Sequence, residues 1–295
     1  MMDYNKLNQQ KQKTIIPYAI LFGVGVLFIP LGMALFMGDR TTLIGFFMFL
    51  GGGGMIALAS YLINKNLNKI KDIIVNEIMK EKGIEGIYQA KNYIAKQVIK
   101  DTGMISNSFN QYGGSDYAKF DYKGLTVEYC RLAIYLVTSN GKSTQKTPVY
   151  VGPWLIITLD KNLGQTIKIF EKQFFSKGVN NKGLEKIDTE SLTFNEKFAS
   201  YTSDKHTFFY LITPLMIEQL LKHEQAHQGR MLFCLLNDSI HLGMHGEKTK
   251  RFKIPLFEAI NESHTKAISE DFDNIFKVID NLRLDHDKFK EDALT

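Results

Sequence analysis

Two blocks of almost unbroken apolar residues stand near the start of the chain, at 15–37 and 41–63, with only Gly38, Asp39 and Arg40 between them. A helix crossing the hydrocarbon core of a bilayer takes about 20 such residues. Each block is therefore long enough to span, and the short break predicts a helical hairpin. A cleaved signal peptide has an apolar stretch of only about 7–15 residues before its cleavage site, and here a second span follows at once. Pro17 and Pro30 fall inside the first block, where membrane helices tolerate proline. The run from Gly51 to Gly54 offers either a face for close helix approach or a point of flexibility.

Beyond the second block the pattern turns amphipathic. Leu67, Ile70, Ile74 and Ile78 recur at spacings of three and four among lysines and acids, which predicts that the second span continues as a helical stalk. A further helix is read at 87–100, after Gly83 and Gly86. Residues 106–115, rich in Ser, Asn and Gly, read as loop, with a tight turn at Tyr112 to Asp116. Alternating and β-branched runs at 117–121, 125–137, 149–159 and 166–170 read as strands of an antiparallel meander, with turns at Lys123-Gly124 and 138–147. Another strand is read at 191–201. Helix resumes at Asp204. Thr213-Pro214 then places an N-cap residue before a proline suited to the first helical position, starting a helix that runs to about His227 and ends at Gly229. A hairpin at 231–236 and 240–245 turns on Asn237-Asp238. A last helix at 266–284 carries Phe272, Ile275, Phe276 and Ile279 on one face.

The fold class that follows is α+β, with an N-terminal two-helix transmembrane hairpin followed by a soluble domain of antiparallel β-sheet and helices. The chain divides into an N-terminal cytosolic segment at 1–14 and the hairpin at 15–63. Amphipathic stalk helices follow at 64–100, then an α+β domain at 101–265, then a C-terminal helix and charged tail at 266–295. The alternative is a further boundary near Lys182, where Asn180, Asn181 and Gly183 cluster, which would divide the soluble region into a pair of smaller domains.

Charge sets orientation. Lys6, Lys11 and Lys13 precede the first span, and Lys65, Lys69 and Lys71 follow the second. Positive flanks stay in the cytosol, so both termini and the α+β domain are expected at the cytoplasmic face of the cell membrane. The same lysines favour anionic lipid headgroups, and the net charge of +5 needs no nucleic-acid partner. The two cysteines, Cys130 and Cys234, lie in apolar β-like runs without metal-type spacing. They read as small buried core residues in a reducing compartment.

One motif carries chemistry. His223-Glu224-Gln225-Ala226-His227 matches H-E-x-x-H on a predicted helix. In that pattern two histidines on one face bind zinc and the glutamate activates a metal-bound water. Zinc needs a third protein ligand. The extended motif fails, because Arg230 and Phe233 stand where glycine and the third histidine belong. Glu247, His241 and His245 are the remaining candidates: Glu247 sits in a turn, and the two histidines alternate along a strand.

The order of short motifs resembles a known family. Gly114-Ser115-Asp116-Tyr117, Cys130-Arg131-Leu132, Trp154-Leu155-Ile156-Ile157, Phe194-Asn195-Glu196-Lys197-Phe198 and Thr213-Pro214-Leu215-Met216 follow the two spans in sequence. Together they resemble an uncharacterised family of bacterial two-span membrane proteins, a domain of unknown function often encoded beside LemA-type proteins. The resemblance covers about 84–260. It implies an α+β domain on a two-helix anchor and a protein partner at the membrane, with a LemA-type protein as the candidate, and it transfers no catalytic residue or cofactor. The expected function is thus a membrane-anchored, non-enzymatic binding or scaffold protein. The alternative is a zinc metallopeptidase using His223, Glu224 and His227, and a third class is a lipid-facing structural protein that uses its basic stalk.

Overall fold

The computed structural model describes residues 2–37, 42–141, 143–172, 178–226, 229–248 and 250–284. The break at Gly38 to Arg40, His227 and the charged tail lie outside the described residues. The chain forms two compact units, one of residues up to Glu81 with 252–268, the other of 82–251 with 269 onward.

In the first unit, α1 (Tyr4–Phe36) and α2 (Thr42–Glu81) lie antiparallel, in a hairpin-like arrangement. Both are long and apolar enough to cross a membrane, and 11% and 17% of their most apolar windows are buried, leaving most of that surface outward. What joins them is small residues at heptad spacing. A Cβ on Gly25 would stand 2.8 Å from the Gly52 carbonyl oxygen, and one on Gly32 2.8 Å from that of Gly45. Gly51, Gly53 and Gly54 face open space. Of the glycine run, then, one residue is a packing contact, and its partners are spaced along both helices, as close helix approach in lipid requires.

The first three turns of α1 carry polar contacts to another segment of the same unit. Tyr4, Asn8 and Lys11 share one face and are bonded to the 252–268 segment. Tyr4 Oη lies 2.9 Å from Thr265 Oγ1, the Asn8 side chain both donates to the Ile260 carbonyl and accepts from its N–H at 2.8 Å, and Lys11 Nζ donates to the Glu258 carbonyl at 2.5 Å.

The second unit is built on a nine-stranded antiparallel sheet. Its strands in chain order are β1 (Gly86–Gln89), β2 (Gln111–Tyr122), β3 (Leu125–Ser139), β4 (Thr144–Thr158), β5 (Thr166–Glu171), β6 (Glu185–Ile187), β7 (Phe198–Thr202), β8 (Arg230–Leu236) and β9 (Ser239–His245). In space they run β1-β2-β3-β4-β9-β8-β5-β7-β6. The meander is thus joined to the β8-β9 hairpin through β4, where Leu155 pairs with Leu242. Its helices are α3 (Lys96–Asp101), α4 (Leu192–Lys197), α5 (Lys205–Leu211), α6 (Pro214–Ala226) and the greater portion of α7 (Glu262–Asn281).

Four expectations are corrected. The 87–100 helix is instead β1, a turn and the short α3. Gly86 permits the backbone to close on β2, where its Cβ would stand 2.6 Å from that of Phe120, so edge pairing overrides local propensity. The loop at 106–115 ends early, because β2 already pairs with β3 at Gln111. The expected tight turn is a bulge between Ser115 and Ala118, with Asp116 at φ 63° and its carboxylate accepting from Tyr88 Oη at 2.6 Å and Ser115 Oγ at 2.8 Å. The 191–201 strand begins only at Phe198. Ser191 caps a helical turn by accepting from Phe194 N–H at 3.3 Å, while the Asn195 side chain latches back on Thr189 at 2.6–2.9 Å.

One face of the sheet carries a buried cluster that includes Ile94, Ile99, Met104, Cys130, Leu132, Tyr150, Trp154, Phe170, Leu232 and Cys234. Burial pushes both thiols up to about 12, which leaves them protonated and inert. On α7, Phe276 stacks on Tyr122 with ring centroids 4.1 Å apart, and Phe272 meets Phe120 edge-on at 5.7 Å. Asp280 accepts from Tyr122 Oη at 3.0 Å and from Lys123 Nζ at 2.7 Å.

Candidate functional site

Strand alternation divides the sheet into two chemically different faces. Tyr129, Leu155, Leu242 and Met244 point to the face covered by α6 and α7. There they floor a small apolar recess of about 60 Å³, closed by Ile275 and Val278 of α7. The recess opens into a wider cleft of about 670 Å³ between α6, α7 and the segment after β9. His223, Glu247 and Arg251 border both spaces.

Local signals fix the helices that form the walls, and those at Thr213-Pro214 and Gly229 were read in the sequence. Thr213 Oγ1 accepts from Met216 N–H at 3.4 Å to cap α6, with Pro214 in its first turn. Met216, Ile217 and Leu220 are buried, so Gln219, Lys222 and His223 are left on the cleft side. Gly229 is closely approached: a Cβ there would stand 3.1 Å from the His245 carbonyl oxygen and 3.2 Å from Glu247 Cβ. For α7, the Asn261 side chain accepts from Ser263 N–H at 3.1 Å and His264 N–H at 3.3 Å, and His264 Nδ1 accepts in return from Asn261 N–H at 3.3 Å. That reciprocal cap starts the helix at Glu262, ahead of the expected 266.

The mouth is basic. Lys222, Lys248, Arg251 and Lys277 border it against Glu247 and Asp271. Arg251 lies 3.5 Å from Asp271, and Lys222 lies 2.6 Å from Glu218 within α6. Arg131 braces the rim by donating from Nη2 to the Glu247 carbonyl at 2.7 Å. Of the four basic residues between 248 and 253, Lys248 and Arg251 thus belong to this mouth.

The H-E-x-x-H motif is described only in part. His223 borders the cleft, and His227 lies outside the described residues. Glu224 is held in an ion pair by Lys197 Nζ, 2.5 Å from its Oε2. The candidate third ligands separate. Glu247 is beside His223 at the cleft, but His241 and His245 are odd-numbered residues of β9 and face away from the Leu242 and Met244 side. Each uses Nδ1 as an acceptor, His241 from Trp154 Nε1–H at 3.3 Å and His245 from Val151 N–H at 3.1 Å. Burial holds both rings down near a pKa of 4. Among the described residues no three His, Cys, Asp or Glu side chains gather to hold a metal ion.

The charged cleft itself had no sequence signature. Its residues come from α6, α7 and the segment after β9, and only the topology brings them together.

Residues 148–284 match the family described as Protein of unknown function (DUF3137). The resemblance to an uncharacterised family read in the sequence is therefore borne out over that stretch, which includes most of β4, with α6, β8, β9 and the residues of α7 on the cleft. No curated protein matches the chain. Among solved structures, the crystal structure of the mycobacterial trehalose monomycolate transport factor A, TtfA, aligns over 70% of this chain and 95% of its own at 6% identity, with a TM-score of 0.36. That score is too low to establish a shared fold.

Proposed function

We propose that the chain is a membrane-anchored, non-enzymatic binding protein that presents its α+β unit at the cytoplasmic face and takes an acidic, partly apolar segment of a membrane-associated protein into the cleft between α6 and α7. The observation that supports this reading is the cleft's composition. An apolar recess lies beneath a mouth bordered by four lysine and arginine side chains and two carboxylates, and such a mouth favours an acidic segment. The family resemblance suggests a LemA-type protein as that partner. Placement rests on the two apolar helices and on the lysines flanking them.

The binding reading is tested with a photo-crosslinking residue at Gln219 in full-length protein in cells. A discrete adduct in the membrane fraction is expected, and Lys222→Glu with Lys277→Glu should reduce it severalfold. Absence of an adduct, or indifference to the charge reversals, overturns the reading. Placement is tested separately with single cysteines, which is feasible because Cys130 and Cys234 are buried. Cysteines near Lys6 and Asp292 should be shielded from an impermeant reagent in intact cells, and one at Asp39 should react. Labelling at Asp292 would reverse the orientation.

A further inference from the structure

The opposite face of the same sheet holds a second cleft, of about 660 Å³, bordered by β1, the segment leading into α3, and the β8-β9 turn. His241 stands in its wall and is 3% exposed. Its Nδ1 accepts from Trp154 Nε1–H at 3.3 Å. That bond fixes the tautomer, since a neutral imidazole accepting at one nitrogen carries its proton on the other. With the ring's pKa held near 4 by burial, Nε2–H is a donor at neutral pH. Among the described residues it has no hydrogen-bond partner.

The surroundings of that donor are acidic. Asp101, Glu128 and Asp238 border the cleft, and neither lysine nor arginine is among its described lining. Glu128 is committed on both oxygens, accepting from Tyr117 Oη at 2.7 Å and lying 3.4 Å from Lys119 Nζ. Asp101 and Asp238 each take a single side-chain hydrogen bond on one oxygen, from Gln97 Nε2 at 2.6 Å and Ser239 Oγ at 2.8 Å. The cleft also exposes apolar surface on Ile87 and Val98.

We infer that this cleft recognises a lysine side chain within a peptide. The three features ask for different portions of one ligand. The apolar wall suits an alkyl stem, the aspartates suit its terminal cation, and His241 Nε2–H suits a main-chain carbonyl. A compact ammonium with three donors matches two separate carboxylates, each offering one oxygen. A planar guanidinium calls for two oxygens side by side. The site is on the face away from the α6/α7 cleft and does not depend on it.

The test uses the full-length protein in detergent micelles and Nα-acetyl-L-lysine N-methylamide as probe, with affinity measured by saturation-transfer NMR. Trp154 is the chain's single tryptophan, so its emission reports on the ring bonded to His241. Saturable binding is expected. The norleucine counterpart, which lacks the ammonium, should bind at least roughly tenfold more weakly, as loss of a charge-assisted hydrogen bond predicts, and n-pentylamine, which keeps one ammonium and lacks the carbonyl, severalfold more weakly, as loss of a neutral one predicts. Asp101→Asn with Asp238→Asn, the first at an exposed and the second at a half-buried position, should weaken the probe by at least roughly tenfold while leaving Trp154 emission of the free protein unchanged. No saturable binding, equal affinity for either control, or indifference to the aspartate variants overturns the inference.

Discussion

The two faces of one sheet differ in kind, although alternate residues of the same strands build both. Glu128, Trp154, Ile156 and His241 face one way, and Tyr129, Leu155 and Leu242 face the other. On the first side a closed core ends in an acidic cleft whose wall holds a buried histidine. On the second, an apolar recess opens to a basic mouth between two helices. A strand therefore carries two independent chemistries, and a one-residue displacement of register would exchange them. The bulge at Asp116 and the register shift after Ile134 bound the stretch in which this alternation stays in phase.

The sharpest test of the difference compares chain neighbours. Trp154 is fully buried, whereas Leu155 is 7% exposed and already borders open space. Trp154→Ala opens a cavity and removes the donor to His241, and should cost about 3–5 kcal/mol. Leu155→Ala should cost about 2 kcal/mol, the low end for such truncations, because less new cavity forms. Denaturant unfolding of the full-length protein measures both. Equal costs would mean that the recess is as tightly filled as the core.

The histidines give the next largest effect. His241 and His245 titrate near 4 in the fold and near 6.5 when unfolded. As pH falls the unfolded chain takes up protons first. Stability is thus fully present above about pH 6.5 and is lost as pH drops toward 4. For His241 the loss amounts to about 3 kcal/mol, and His245 adds to it in the same direction. His241→Gln, which keeps a side-chain acceptor near Trp154, should flatten the stability profile between those limits. An unchanged slope would place the proton uptake elsewhere.

The sequence made one kind of information plain and hid another. Signals carried by consecutive residues were legible: the two apolar spans, the Thr213-Pro214 corner, the Asn237 turn with its φ of 58°, and the apolar stripe of α7. Features set by distant partners were not. Gly86 looked like a helix breaker because its partner, Phe120, lies on another strand. Phe194 looked like a strand residue because the latch between Asn195 and Thr189 depends on side-chain geometry. The glycine run drew attention to four residues when only Gly52 packs, against Gly25. H-E-x-x-H gave the order of its residues but not the ion pair that holds Glu224 to Lys197. Neither cleft left a motif, because both are assembled across the sheet.

A smaller effect tests whether the wall of the basic cleft is set by its cap. Thr213 accepts from Met216 N–H at 3.4 Å, a long hydrogen bond. Thr213→Ala should therefore cost about 0.5–1 kcal/mol, toward the lower end of the range for lost caps. Thermal unfolding measures it, and the acidic face should keep its Trp154 emission. No loss of stability would mean that Pro214 and the buried stripe fix the helix start without the hydroxyl.

The smallest expected effect concerns Glu224, and it separates scaffold from chemistry on the α6 side. Its partner Lys197 is 37% exposed at the side chain, while Glu224 is 16% exposed. Solvent screens such a pair, so Glu224→Gln should cost only about 0.5 kcal/mol. The amide still accepts from Lys197, which keeps α4 and α6 tied. If the glutamate acts only in this pair, the variant should also leave the Gln219 photo-adduct and the purified protein's zinc content at their wild-type values. In a zinc peptidase the same change removes the base that activates water while the fold survives. Stoichiometric zinc in the wild type, together with loss of a cellular phenotype in a folded Glu224→Gln variant, would therefore move the α6 face from binding to catalysis. The acidic face, which does not contain this residue, would be left as it is.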